Sequence, residues 1–451
     1  MRKFLVLLAA LLLLGQGQVL YAVREVDHPI KTQAAQGTEP PKDPLEEKPI
    51  PEDEIRNQDF LVPSGQGVLK GNLKEKKEIE NLKSQPRTSL CTSYLVGDLE
   101  SEEILTSYQT DQVIGLASTS KLVSLYVIYD ALAAGEMKLT DPVVMDEEVT
   151  KIPGSSLKSK PGESFSVSDL IDATLIISGN DAVTALGKKL AGTTDRFVER
   201  MNQKCQDLGL SHAHMVNPHG LTDYALNDYN QMTSKELFHL VCQLLKDHPE
   251  ILDRTTKAKI DQVDRHFLAY NTNPLLGIVP GVDGLKTGYT NAAGRCLVAT
   301  AKIKEIPGIT KPARLISLTM GCPSNMARFV LSKDLMEESL GRYSKRIVAL
   351  EDKSIGEAKV LEGREKKVQV YPTETKTILW DGQKNIKTKV YVEDLKPPVK
   401  AGTIVGRAEV YEGKDLAAKF PVKVKENVEP QNVLVRLQVH LYRALEQVAA
   451  A

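Results

Sequence analysis

The stretch Ser118 to Gly135, STSKLVSLYVIYDALAAG, is apolar nearly all round, has no internal Gly or Pro, and stops at a glycine. This pattern predicts a helix buried on every side and closed by a glycine C-cap. Its first turn is the exception, with a hydroxyl at Ser118 and an amine at Lys121. Free backbone N–H groups and the positive end of the helix dipole lie there, which suits an oxyanion forming beside the hydroxyl. Lys121 follows at i+3 on the same face, so its amine can reach back to the serine oxygen. A lysine acts as a base only when neutral, and burial with a second cation nearby lowers its pKa. The plainer alternative is a Ser N-cap with a Lys solvating the first turn.

Two further strings follow in order, Ser178-Gly179-Asn180 and Lys286-Thr287-Gly288. With Ser118-Thr119-Ser120-Lys121 they complete an S-x-x-K, S-x-N, K-T-G set. An S-x-x-K arises about once or twice by chance in a chain this long. A second copy stands at Ser155-Ser156-Leu157-Lys158, in a Gly/Pro/Ser-rich stretch that reads as loop. Ser178-Gly179-Asn180 ends one apolar helical run and opens another, so a hydroxyl and a carboxamide project from a helix junction. There Ser178 can relay a proton and Asn180 can hold a substrate amide; taken alone, the string reads equally as capping. Lys286-Thr287-Gly288 lies in a glycine-punctuated lead-in to CLVATA, a predicted strand. Lys286 offers a fixed positive charge and Thr287 a hydroxyl for a carboxylate. Gly288 leaves room for a substrate backbone, and the Tyr289 N–H supplies a second oxyanion donor. A solvated Lys-Thr-Gly turn is the alternative.

LASTSKL, SGNDA, VNPHGL, NTNPLL and GVDGLKTGYTNAAGRCLVATA resemble the serine-type D-alanyl-D-alanine carboxypeptidases, the low-molecular-mass penicillin-binding proteins, from about Thr88 to Tyr343 and on into a small C-terminal domain. The resemblance implies an α/β (α+β) penicillin-binding, β-lactamase-like catalytic domain, an antiparallel sheet with a helical lobe, followed by an all-β sandwich. It implies that Ser118 is acylated by the penultimate D-Ala of a peptidoglycan stem peptide, with Lys121 as base and Ser178 as proton relay. Asn180, Lys286 and Thr287 become substrate-holding groups, and Arg328 aligns with an arginine that helps bind the terminal carboxylate. Arg328 equally suits a surface ion pair with Asp334, Glu337 or Glu338. His219 takes a structural role, and β-lactam antibiotics become covalent inhibitors. The same serine chemistry would serve a β-lactamase or a D,D-endopeptidase. The commonest serine β-lactamases carry E-x-x-L-N between the second and third strings, which Glu199-Arg200-Met201-Asn202 does not fit. A non-catalytic wall-binding protein would have no reason to keep Ser118, Lys121, Ser178 and Lys286 together.

The ends of the chain point to export. Arg2 and Lys3 precede the apolar run Phe4 to Leu14, and Leu20-Tyr21-Ala22 offers a cleavage point, so residues 1–22 read as a signal peptide. Residues 23–83, rich in Pro, Glu and Lys, read as a disordered tether. The catalytic domain is expected over 84–345 and a β-sandwich over 346–430, where short alternating stretches recur between Gly and Pro turns. The tail, 431–451, reads as an amphipathic helix. Leu434, Leu437, Leu441, Leu445 and Val448 lie on one face, with Arg436, His440, Arg443 and Gln447 on the other. Such a helix suits a membrane interface, or packing on the β domain or a partner chain; the resemblance implies the membrane surface, here the outer face of the cytoplasmic membrane. A net charge of −1 gives no reason to expect nucleic acid. His212, His214 and His219 lack flanking ligands, so no metal and no cofactor is expected. The five cysteines, at 91, 205, 242, 296 and 322, read as structural thiols.

Overall fold

The computed structural model describes residues 60–64, 67–71 and 73–432, and positions 437–438, 441 and 445–447 in the tail. The signal-peptide expectation for 1–22 and the tether expectation up to residue 59 lie outside the described residues. So does most of the expected tail helix. Its described positions are helical, and Leu437, Leu441 and Leu445 stand exposed.

The catalytic part is built on a five-stranded antiparallel sheet. Its strands are β1 (Ser93–Asp98), β2 (Ile104–Tyr108), β3 (Val282–Thr290), β4 (Gly294–Ile303) and β5 (Ala313–Cys322). In space they run β3-β4-β5-β1-β2, so the chain leaves the sheet after β2, builds a helical lobe, and returns to lay β3 along one edge. Side chains alternate between the faces, as strand geometry requires. Leu95, Val298, Ile316 and Leu318 join a core shared with the lobe, while Val96, Leu297, Ala299 and Leu315 join a second core under a C-terminal helix.

Among the described residues the seven longer helices are α1 (Leu73–Lys83), α2 (Lys121–Ala133), α3 (Val167–Ile176), α4 (Asn180–Ala191), α5 (Thr194–Asp207), α6 (Ser234–Asp247) and α7 (Asn325–Arg342). Every residue of α2 from Lys121 to Tyr129 is buried, because α4, α5 and α6 surround it. Gly135 follows with φ +76°, the left-handed conformation the terminating glycine was expected to take.

The described end of the expected tether departs from disorder. Phe60–Ser64 pairs with Gly67–Gly71 as a hairpin, and α1 packs on α7. Among the described side chains of this lysine- and glutamate-rich helix, Ile79 and Leu82 touch the second core. Two apolar contacts a turn apart are enough to dock it, but too few to show in composition.

After α7 the chain becomes all β. It continues as β6 (Tyr343–Ala349), β7 (Gly356–Lys359), β8 (Lys367–Pro372), β9 (Lys376–Asp381), β10 (Ile386–Val392), β11 (Ile404–Glu412) and β12 (Asp415–Val424). Five of these form the sheet β7-β8-β12-β11-β10, and β6 pairs with β9 and with the short strand Thr310–Lys311. Ala349, Ile378, Val370, Val410, Phe420 and Val422 fill a separate core between the two sheets.

Candidate active site

A single 3₁₀ turn, Ala117–Ser120, runs directly into α2 and carries Ser118 half-buried at the mouth of the helix. Lys121 is the first α-helical residue and is fully buried. Its Nζ lies 2.9 Å from Ser118 Oγ and donates to Asn180 Oδ1 at 2.6 Å and to the His219 carbonyl at 2.7 Å. A neutral amine has two N–H donors and one lone pair. Two carbonyl-type acceptors occupy the donors, so the lone pair is left to face the serine hydroxyl. Burial, then the nearby charge of Lys286, holds the Lys121 amine well below the ordinary lysine range, against an opposing pull from Asp181.

The backbone approaches closely here. A Cβ on Gly220 would meet the Ala117 carbonyl oxygen at 2.0 Å, so only glycine lets the 217–221 loop lie against the nucleophile turn. That approach delivers the His219 carbonyl to Lys121, while burial holds the His219 ring neutral, lowered to about 3.

Ser178 sits between α3 and α4 at φ +63°, a strained conformation for a residue with a side chain. Its buried Oγ has no hydrogen-bond partner among the described residues. Asn180 is buried and holds Lys121 through its oxygen, while its Nδ2 donates to the Pro153 carbonyl at 2.7 Å. Both ends of this amide, expected to hold substrate, are thus engaged with the protein itself.

Lys286-Thr287-Gly288 lies within β3, so the stretch read as a lead-in is itself the edge strand. A Cβ on Gly288 would stand 2.9 Å from Ser118 N and 3.0 Å from Thr119 N, which fixes the strand against the nucleophile turn. Tyr289 follows on the strand, its ring under the Arg295 guanidinium at 4.4 Å. Thr287 Oγ1 donates to Thr272 Oγ1 at 2.7 Å, and Lys286 Nζ to the Thr287 carbonyl at 2.9 Å. Burial, then the neighbouring Arg328, lowers its amine from the ordinary lysine range to about 7.

Arg328 stands near the start of α7, where Nη1 donates to the Cys296 carbonyl at 3.3 Å. The carboxylates considered as its surface partners pair elsewhere. Asp334 and Glu338 bind Arg87, and Glu337 binds Lys333. Lys286 on β3 and Arg328 on α7 thus bring two cations from separate elements near one another, an arrangement suited to a carboxylate.

Ser155, the first serine of the second S-x-x-K, lies in the loop between Thr150 and Ser164 with no helix behind it, and the neighbouring Ser156 Oγ donates to Asp181. The histidines disperse: His212 pairs with Glu236 and His214 with Asp228. All five cysteines are buried and free. Sequence reasoning did not find the His219 carbonyl, Thr272 or Asp181 as parts of the site, although VNPHGL, NTNPLL and SGNDA contain them.

The family model for D-alanyl-D-alanine carboxypeptidase matches residues 80–323, and that for the penicillin-binding protein 5 C-terminal domain matches residues 343–430. D-alanyl-D-alanine carboxypeptidase DacA of Haemophilus influenzae is 31% identical over 347 residues, 74% of this chain and 84% of the relative. D-alanyl-D-alanine carboxypeptidase DacC of Escherichia coli is 30% identical over 352 residues, 75% of this chain and 84% of the relative. The crystal structure of penicillin binding protein 5 from Haemophilus influenzae matches with a TM-score of 0.59 at 27% identity, covering 76% of this chain and 99% of that one. The chain belongs to the D-alanyl-D-alanine carboxypeptidase family, as a serine carboxypeptidase with a penicillin-binding catalytic fold and an all-β C-terminal domain.

Proposed function

We propose that the protein removes the terminal D-Ala from peptidoglycan stem peptides through an acyl-enzyme on Ser118, and that β-lactams acylate the same serine. Lys121 Nζ takes the hydroxyl proton as the serine oxygen attacks the penultimate carbonyl. The backbone N–H groups of Ser118 and Tyr289 face the oxyanion. Ser178 passes the proton from Lys121 to the departing D-Ala nitrogen, and water then hydrolyses the ester and frees Ser118. Lys286, Thr287 and Arg328 take the terminal carboxylate, whose negative charge raises the Lys286 amine again and keeps it protonated in the complex. The observation that carries this reading is the buried Lys121 amine 2.9 Å from Ser118 Oγ with both its N–H groups occupied by acceptors.

The test is release of D-Ala from a soluble peptide ending in D-Ala-D-Ala. The wild-type protein should release it, and Ser118→Ala should lose roughly 10⁴-fold or more. Equal release by both proteins would move the nucleophile elsewhere.

We also propose that residues 1–22 direct export and that the 431–451 tail seats the protein on the outer face of the cytoplasmic membrane. The exposed leucines at 437, 441 and 445 support this, and no helix among the described residues is long and apolar enough to cross a membrane. A protein ending at Pro430 should lose sedimentation with anionic liposomes and keep its hydrolysis of the soluble peptide. Undiminished sedimentation would make the tail a packing element.

A further inference from the structure

Asp181 is almost completely buried, one residue into α4, and no step of the proposed reaction uses it. Its carboxylate accepts from Ser156 Oγ at 2.9 Å, Ser159 Oγ at 2.9 Å, Leu157 N at 3.1 Å and Ala182 N at 2.9 Å. Three of these donors belong to the second S-x-x-K segment and the serine just after it. The same segment grips Asn180 from the other side. The Asn180 N–H donates to the Ser155 carbonyl at 2.7 Å, and Nδ2 donates to the Pro153 carbonyl at 2.7 Å. Gly154 lies between these two carbonyls at φ +83°, and a Cβ there would stand 3.0 Å from Asn180 Nδ2.

This arrangement sets which end of the Asn180 amide faces Lys121. With Nδ2 committed to Pro153, Oδ1 accepts from Lys121. Were the amide turned over, its NH₂ would face the lysine lone pair and compete with the Ser118 hydroxyl for it. A single buried carboxylate with several donors is well suited to fix such a choice, since removing it leaves those donors unsatisfied.

We propose that Asp181 is a positioning residue for acylation: it docks the 153–159 segment on the start of α4, and the docked segment orients the Asn180 amide so that its oxygen holds Lys121. This inference rests on Ser118 being the acylated residue.

Two variants test it in the full chain. Asp181→Asn keeps the shape of the side chain and removes its charge. Ser156→Ala/Ser159→Ala keeps the charge and removes two of its donors. Each is measured for its rate of acylation by benzylpenicillin as a function of pH, and for thermal unfolding. Both should acylate at least about threefold more slowly than wild type. In Asp181→Asn the acid limb of the profile should also move to lower pH, because the Asp181 charge raises the Lys121 amine. A role confined to folding would lower the melting temperature and leave acylation by the folded protein unchanged in both variants. The proposal is overturned if either folded variant acylates within about threefold of wild type, or if the Asp181→Asn limb does not move. If Asp181→Asn does not fold, the double serine variant decides alone. A wild-type protein that gains no adduct on Ser118 would instead sink the proposed function, whatever the variants do.

Discussion

Lysines are plentiful in both parts of this molecule, but they are handled in opposite ways. In the C-terminal β domain Lys367 pairs with Glu357, Lys376 with Glu374 and Lys423 with Glu351, all at or near the surface. The Lys367 amine is pushed up by its partner, the ordinary behaviour of a solvated ion pair. In the catalytic domain Lys121 and Lys286 are buried, have no carboxylate in hydrogen-bond contact, and are pushed down. Ion pairs at the surface contribute little to stability and report no chemistry. A buried amine without a counter-ion is costly to hold and persists where a proton or an anion must be handled. The contrast points to the meeting of α2, the α3–α4 junction and β3 as the place of the chemistry.

The largest expected effect is at Lys121. Lys121→Arg keeps a cation there but cannot lose its proton near neutral pH, so acylation by benzylpenicillin should fall by about 10²–10⁴-fold. Wild-type acylation in this variant would assign the base to another residue. A smaller effect separates the two buried lysines. The rate constant per unit of free enzyme and ligand reports groups ionising in the free enzyme. Lys286 must be charged to bind a carboxylate, and its amine titrates at about 7. The wild-type rate should therefore decline as pH rises through that value, while Lys286→Arg, which does not deprotonate, should stay level to higher pH with roughly tenfold weaker neutral-pH acylation. An alkaline limb that stays in place in Lys286→Arg would detach it from Lys286. The smallest effect lies in the β domain, where Lys367→Ala should change neither acylation nor the unfolding midpoint measurably. A loss of acylation there would erase the contrast between the two regions.

What could be read from the sequence followed the range of the interactions involved. Ser118 and Lys121 meet across one helical turn, and Gly288 must be small because β3 lies on the nucleophile turn, so residue type and local spacing announce both. The strand order of the sheet was less legible than the order of the motifs, because strand β1 pairs with β5 across most of the domain. The His219 carbonyl is a backbone atom 98 residues from Lys121, and no side-chain pattern marks a carbonyl. Ser156 looked like part of a spurious nucleophile motif because its role is to donate to Asp181, 25 residues away. The lowering of the Lys286 amine was not legible because only the packed structure brings Arg328 from α7 beside it. Helix α1 was hidden by its lysines and glutamates, since docking needed only Ile79 and Leu82.

The central claim is that the buried amine of Lys121 activates Ser118 and no other serine. Intact-protein mass spectrometry after benzylpenicillin treatment, followed by peptide mapping, tests it most directly. One adduct per chain is expected, on the peptide containing Ser118, and none in Ser118→Ala. An adduct on Ser155, Ser156 or Ser178, or an equal yield in Ser118→Ala, would contradict it.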